Sequence, residues 1–121
     1  MSSPTPPKYE CAQGTIKVSG STLPRQAGSC ALHFLTRLID PIDFICIGAN
    51  ANQQAVKAIG VFSEMFEEQH GRLDGSYLAF RPLRVSVTAK NFDGSSQLKD
   101  ATVWRTVIVR PAKFLPVPSP A

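Results

Sequence analysis

Apolar and polar positions in the first third of the chain predict a strand followed by a helix. Residues 14–19 alternate apolar and polar side chains, which is typical of a short, half-buried strand. Across residues 24–39, apolar side chains recur at helical spacing, with polar ones on the opposite face. Ser21 or Thr22 is the expected N-cap of this helix, and Pro24 suits its first turn.

The middle of the chain repeats the order of strand and helix. Residues 42–47 are mostly apolar and β-branched, which predicts a central strand buried on both faces, as in a parallel sheet. Residues 51–69 form the second predicted helix, capped by Asn50 and ended by Gly71. The apolar arc of this helix is wider than the arc that a single sheet face needs. The helix is therefore either sandwiched within the fold or in contact with another subunit.

Two long β patterns follow the second helix. Residues 77–89 predict one long or broken strand, with Pro82 as a break or as the mark of a sheet edge. Residues 91–96 carry turn-forming side chains, and residues 101–109 are rich in β-branched ones. We expect these last two strands to form a hairpin with an extended tip. The predicted order is βαβαββ, an α/β fold with a mixed four-stranded sheet and two helices.

The length and composition of the chain indicate its domain organisation and its cellular compartment. The chain of 121 residues has the length of one domain, and its prolines cluster at both ends. We therefore expect Pro-rich tails at residues 1–12 and 114–121 around a domain of residues 13–113. No apolar run reaches the roughly 20 residues of a membrane helix, and the first residues lack the apolar segment of a secretory signal. The expected location is the cytoplasm or another reducing compartment, without secretion.

Residues suited to catalysis or metal binding form no recognisable motif. Cys11, Cys30 and Cys46 show no CxxC spacing, and we expect reduced thiols, with Cys30 and Cys46 buried. His33 and His70 lack a cysteine or carboxylate at a metal-ligand spacing. The sequence also lacks a nucleophile-elbow motif. We therefore expect no catalytic residue, no metal and no cofactor.

Residues 47–58, with the sequence IGANANQQAVKA, resemble the signature of the stage V sporulation protein S family. Weaker similarity covers the first helix at residues 27–31, the opening strand at residues 18–19 and the closing strand at residues 106–111. The resemblance implies an Alba-like two-layer sandwich and a family grouping linked to nucleic-acid binding and dimerisation. Lys57 is the cation that lies inside the matched motif.

Cations and amides near the predicted turns and helix starts are the candidates for nucleic-acid contact. The formal net charge is +4, and the basic excess is concentrated after residue 76. Phe92 and Trp104 are candidates for stacking on bases, although a strand Trp more often lies in the core. The small residues at 48–52 either hold a phosphate at the helix start or let the helix approach the sheet. The candidate nucleic-acid-binding residues are Lys17, Arg25, Asn52, Gln53, Lys57, Lys90, Lys99 and Arg105.

Two kinds of function are compatible with these patterns. The first is non-enzymatic binding of DNA or RNA by a homodimer. The alternative is a structural or protein-interaction subunit that docks onto a larger assembly through its tails and hairpin. Self-association is expected through the second face of the second helix. The candidate interface residues are Val61, Phe62, Met65 and Phe66.

Overall fold

The computed structural model describes residues 6–111, and within them two helices pack on a mixed four-stranded sheet. The predicted order βαβαββ is confirmed, with a π-helical turn at Glu67–Gly71 and a short helix α3 at Arg72–Asp74 after the second helix. The elements are β1 Thr15–Val18, α1 Pro24–Thr36, β2 Asp43–Cys46, α2 Ala49–Phe66, β3 Tyr77–Lys90 and β4 Ser96–Val109.

The sheet has the strand order β1-β2-β4-β3. β1 runs parallel to β2, whereas β4 runs antiparallel to both of its neighbours. All four residues of β2 are buried, which confirms the predicted central strand. β3 is an edge strand that continues through Pro82, which pairs with Trp104 of β4. Pro82 therefore marks the sheet edge, where a missing N–H is tolerated, and the predicted break is wrong.

A cluster of aromatic rings fills the space between the helices and the sheet. Phe44 of β2, Phe62 of α2 and Phe80 of β3 have ring centroids 6.0 to 6.5 Å apart in tilted or edge-on arrangements. Phe44 and Phe62 have no exposed surface. Tilted and edge-on ring pairs add to the free energy of apolar burial, so this cluster anchors α2 to the sheet.

The wide apolar arc of α2 is covered within the chain by α1. Gly28 of α1 lies so close to α2 that a Cβ there would be 2.9 Å from Val61 Cγ1. Ser29 of α1 likewise reaches the sulfur of Met65 at 4.0 Å. The helix is thus sandwiched between α1 and the sheet. Self-association stays a prediction, but the wide apolar arc of α2 no longer supports it. Phe62 and Phe66 lie in the core at 0% and 3% exposure, so their choice as interface residues was wrong.

Both helices begin without the predicted side-chain caps. The N-cap of α1 is Leu23, because the Thr22 hydroxyl instead accepts a hydrogen bond from Ser19 N at 2.8 Å. Pro24 occupies the first turn as expected. The N-cap of α2 is Gly48 at φ 87°, which places Asn50 inside the helix.

The helix ends also differ from the sequence expectation. α1 ends at Thr36 because Leu38 adopts a left-handed conformation at φ 59°. Ile39 N then donates to the Phe34 carbonyl at 3.1 Å, as in a Schellman motif. Gly71 is helical at φ −64°, and the left-handed C-cap is Gly75 at φ 76°, after α3. No helix of residues 6–111 is long and apolar enough to cross a membrane.

Residues 6–12 lie against the fold, and we call them the N-terminal strap. Tyr9 N donates to the Ser86 carbonyl, and Ser86 N donates to the Pro7 carbonyl, both at 2.9 Å. The Tyr9 ring packs on an apolar cluster on the sheet face opposite the helices. The predicted free tail over residues 1–12 is therefore wrong for its second half. The predicted tail at 114–121 lies outside the described residues. The apolar cluster consists of Ile45, Val85, Ala101 and Val103.

Candidate nucleic-acid interface

Three elements meet at one end of the sheet, which we call the carboxyl end. Because β1 and β2 are parallel, they end at the same edge, and α1 and α2 both start there. The last residue of β2, Cys46, pairs with Thr102 of β4. β4 begins at Ser96, so the β3–β4 hairpin projects beyond β2 at this same end. The topology therefore brings the hairpin and both helix N-termini together.

A cleft of about 600 Å³ lies at the carboxyl end. Its walls come from the N-terminal strap, the ends of β1 and β2, the start of α2, and β3 of the hairpin. The lining residues are Cys11, Lys17, Val18, Ser19, Gly20, Ile45, Cys46, Ile47, Gly48, Ala49, Asn50, Ala51, Val87 and Thr88.

The helix starts at the carboxyl end favour anions. Among the described residues, no side chain caps α1 at Leu23 or α2 at Gly48. The backbone N–H groups of a first helical turn have no partner inside the helix and carry a partial positive charge. The first turn of α2 opens into the cleft through Gly48, Ala49 and Asn50.

Several of the predicted cations lie at the carboxyl end. Lys17 is exposed and lines the cleft, and Arg25 is exposed in the first turn of α1. Gln53 and Lys57 are exposed farther along α2, outside the cleft lining. The structure therefore brings Lys17 and Arg25 to this end and leaves Lys57 on the side of the helix.

The two hairpin lysines project from opposite faces. Lys99 pairs directly with Val87, and Val87 lines the cleft. Directly opposed residues share one face of a sheet, so Lys99 stands beside the cleft wall. Lys90 pairs with Ser96, an odd number of residues from Val87 along β3, and therefore lies on the other face. Lys99 therefore lies on the same sheet face as Ile45 and Lys17, whereas Lys90 lies on the face of Thr88.

Asn52 has an internal role. Its Oδ1 atom accepts a hydrogen bond from Trp104 Nε1 at 3.0 Å and one from the Cys46 thiol at 3.6 Å. The Trp104 side chain is partly buried against the main core, which confirms the core interpretation. The side-chain oxygen of Asn52 is thus committed to hydrogen bonds within the fold, and its role as a nucleic-acid contact stays a prediction. Phe92, by contrast, is fully exposed at the hairpin tip.

Arg105 is committed to an internal ion pair. Its Nε and Nη2 atoms donate to the two carboxylate oxygens of Asp43, each at 2.9 Å, and Asp43 is only 1% exposed. The hydrogen bond with Asp43 raises the pKa of Arg105. Because Asp43 begins β2, this pair also lies away from the carboxyl end. The pairing with Asp43 and the distance from the carboxyl end therefore contradict the prediction of Arg105 as a nucleic-acid contact there.

The N-terminal strap completes the Asp43 site. Tyr9 Oη donates to Asp43 Oδ2 at 2.8 Å and lies 2.8 Å from the Thr15 hydroxyl. Burial raises the pKa of Tyr9 to about 12. The hydrogen bond with Thr15 opposes this rise, whereas the hydrogen bond and the negative charge of Asp43 add to it. Sequence reasoning missed this site, although a lone charge inside the apolar run at residues 42–47 was its signal.

The thiols differ in accessibility. Cys46 is 2% exposed, and burial raises the pKa of its thiol. Cys11 and Cys30 are exposed, so the prediction that Cys30 is buried was wrong. Across residues 6–111, all three thiols are free, and no three His, Cys, Asp or Glu side chains converge in a way that could hold a metal ion.

An acidic cavity of about 570 Å³ lies at the other end of α2. Its lining includes Glu64, Glu67 and Glu68, together with Arg72 and the start of β3 at Tyr77. The charges are therefore segregated along α2, with the acidic end remote from the cleft.

Comparison with other proteins leaves the carboxyl end to be interpreted from its own chemistry. No model of a known protein family matches the sequence, and none of the curated proteins is similar to it. The likeness of residues 47–58 to the stage V sporulation protein S signature therefore stays a resemblance.

Proposed function

We propose that this protein binds nucleic acid, without catalysis, through the carboxyl end. One observation carries the proposal: Lys17, Arg25 and Lys99 lie at the same end of the sheet as two uncapped helix N-termini and a projecting hairpin. A phosphate backbone is the polyanion that lysines, arginines and helix N-termini hold best. The acidic side chains at the far end of α2 would orient such a ligand toward the carboxyl end.

The mode of binding follows from the small number of cations. Phosphate contacts position a nucleic acid and carry no sequence information, so binding is expected to be weakly specific. Each phosphate neutralised on duplex DNA contributes about −0.9 to the slope of log affinity against log salt. With four cations near the carboxyl end, of which Lys90 lies on the other hairpin face, a slope of about −2 to −4 follows.

The test is fluorescence anisotropy with labelled DNA and RNA at several salt concentrations. The double variant Lys17→Ala/Lys99→Ala should lower affinity and flatten the slope by about two. The matched control is Arg37→Ala/Arg72→Ala, which removes two exposed cations at the opposite ends of the helical segments. Loss of binding in both variants alike, or undetectable binding at low salt, would contradict the proposal.

A homodimer is part of this proposal, because a second copy would double the cations presented to one ligand. Because α1 covers Val61 and Met65 of α2, the dimer surface is expected elsewhere on the protein. Sedimentation at micromolar concentration, with and without nucleic acid, measures the assembly state. A monomer under both conditions would contradict the homodimer and leave the proposal of nucleic-acid binding standing.

The hairpin supports a second candidate function, docking onto a protein assembly. Phe92 at its tip is fully exposed, and Leu98 is 58% exposed. Such side chains are common at protein interfaces. Under this alternative, Phe92→Ser would abolish recovery of a partner from extract, and nuclease treatment would leave that recovery unchanged.

A further inference from the structure

We infer that the cleft receives one nucleotide of a single strand, with its phosphate near Lys17 and its base against the apolar wall. This inference rests on the proposed function and adds the class of nucleic acid to it. A cleft of about 600 Å³ lies within the roughly 300 to 1,000 Å³ of typical small-ligand sites. It is therefore large enough for a nucleotide.

The lining of the cleft offers contacts to both parts of a nucleotide. Ile45 and Val87 contribute to the apolar cluster on the sheet face opposite the helices, and together with Ile47 they give the cleft an apolar wall that suits the flat face of a base. Lys17 pairs directly with Ile45, so it lies on this same sheet face and supplies a cation at the edge of the apolar wall. The first turn of α2 lines the cleft from the helix side. Charge complementarity therefore places the phosphate at Lys17 and leaves the base among the apolar side chains.

The hairpin extends this arrangement to a polymer. Because Lys99 is opposite Val87, its ammonium group is placed to meet the phosphate next to the seated nucleotide. A free mononucleotide has no such neighbouring phosphate. A base in a duplex enters a pocket only by leaving its stack and its pair, which costs free energy that an unpaired base does not require. The cleft therefore favours single strands over both duplexes and free nucleotides.

The first part of the test compares ligands on the full-length protein. Labelled oligothymidylate and oligouridylate are titrated by anisotropy beside a blunt duplex of the same length, and thymidine monophosphate is added as a competitor. We expect the single strands to bind at least about tenfold more tightly than the duplex, since base extrusion costs a few kcal/mol. Equal or tighter duplex binding would overturn the inference and leave the proposed function standing. Equal affinity for the monophosphate would also overturn the inference. Binding to none of these ligands would contradict both the inference and the proposed function.

The second part fills the cleft. Ala49 is exposed at the first position of α2 and lines the cleft, so Ala49→Leu adds volume there without removing a backbone donor. Val56→Leu also adds volume to α2, at a side chain that is 49% exposed and outside the lining, and is the matched control. We expect Ala49→Leu to weaken single-strand binding roughly tenfold and the control to stay within about twofold.

Lys17→Ala tests the same cleft without adding volume and guards against a folding defect in the filled variant. It changes an exposed strand residue, and it should flatten the salt slope for single strands by about one. Lys90→Ala, on the other hairpin face, should flatten it less. Single-strand binding that survives Ala49→Leu unchanged, or slopes that respond equally to Lys17→Ala and Lys90→Ala, would overturn the inference.

Discussion

Removing a single oxygen from the N-terminal strap should destabilise the whole fold. Asp43 is 1% exposed and accepts one hydrogen bond from Tyr9 Oη and two from Arg105. Tyr9→Phe removes one of these donors and keeps the ring that packs on the apolar cluster. A hydrogen bond to a charged group contributes about 1.5 to 3 kcal/mol, so a loss of about 2 kcal/mol is expected. For a domain of this size, that loss corresponds to a fall in Tm of roughly 8 °C.

The measurement is chemical denaturation of the wild type and the variant, followed by circular dichroism. Tyr77→Phe is the control, because Tyr77 is 48% exposed at the start of β3. Deleting residues 1–12 should cost more than Tyr9→Phe, since it also uncovers the apolar cluster and removes the hydrogen bonds with Ser86. A Tyr9→Phe midpoint equal to that of the wild type would refute the account of the strap.

High pH gives a second measurement of the same contact. The pKa of Tyr9 rises from its ordinary value of 10.0 to about 12 in the fold. The unfolded chain therefore loses this proton first, and the folded state binds more protons between the two values. Stability contributed by the neutral hydroxyl is complete below about pH 10 and is lost as the pH rises through 12. The stability difference between wild type and Tyr9→Phe should shrink over that window and stay constant below it.

Two further predictions concern the end of α1 and the thiols. Leu38→Gly should stabilise the protein by about 1 kcal/mol, because the left-handed φ of 59° strains a Cβ and the side chain is 90% exposed. The control Leu73→Gly, in helical conformation and 85% exposed, should destabilise it, and thermal melts compare the two. Iodoacetamide should label Cys11 and Cys30 within the native protein and leave Cys46 unmodified until unfolding, as read by mass spectrometry. Rapid native labelling of Cys46 would contradict the buried thiol.

Periodicity was enough to predict the order of elements, because the spacing of apolar residues differs between strands and helices. The helix ends were less predictable, since backbone conformation sets them. Gly48 at φ 87° starts α2 and Leu38 at φ 59° ends α1, and neither fits the side-chain rules for caps. Gly71 is the residue type expected at a C-cap, but the helical conformation continues past it, and the left-handed C-cap is Gly75.

The Asp43 site and the faces of the hairpin lysines depend on contacts between segments that are distant in the sequence, and a single sequence does not specify such contacts. Tyr9 lies 34 residues from Asp43, and Arg105 lies 62 residues from it. The Pro-rich composition around Tyr9 favoured a free tail, whereas the strap is held by hydrogen bonds to β3. The faces of Lys90 and Lys99 follow from the register of the hairpin, and a shift of one residue would bring both lysines to the same face.

Arg105 is paired with Asp43, and Lys90 and Lys99 lie on opposite faces of the hairpin. Both facts reduce the number of phosphates that one surface can neutralise. A protein with so few cations gains little from a long duplex, because affinity from counterion release grows with each contact. Apolar burial in the cleft is a separate source of affinity that salt does not screen. Tight binding with a shallow salt slope would therefore favour the cleft. Weak binding with a steep slope would favour a diffuse basic surface, and the two measurements together distinguish these mechanisms.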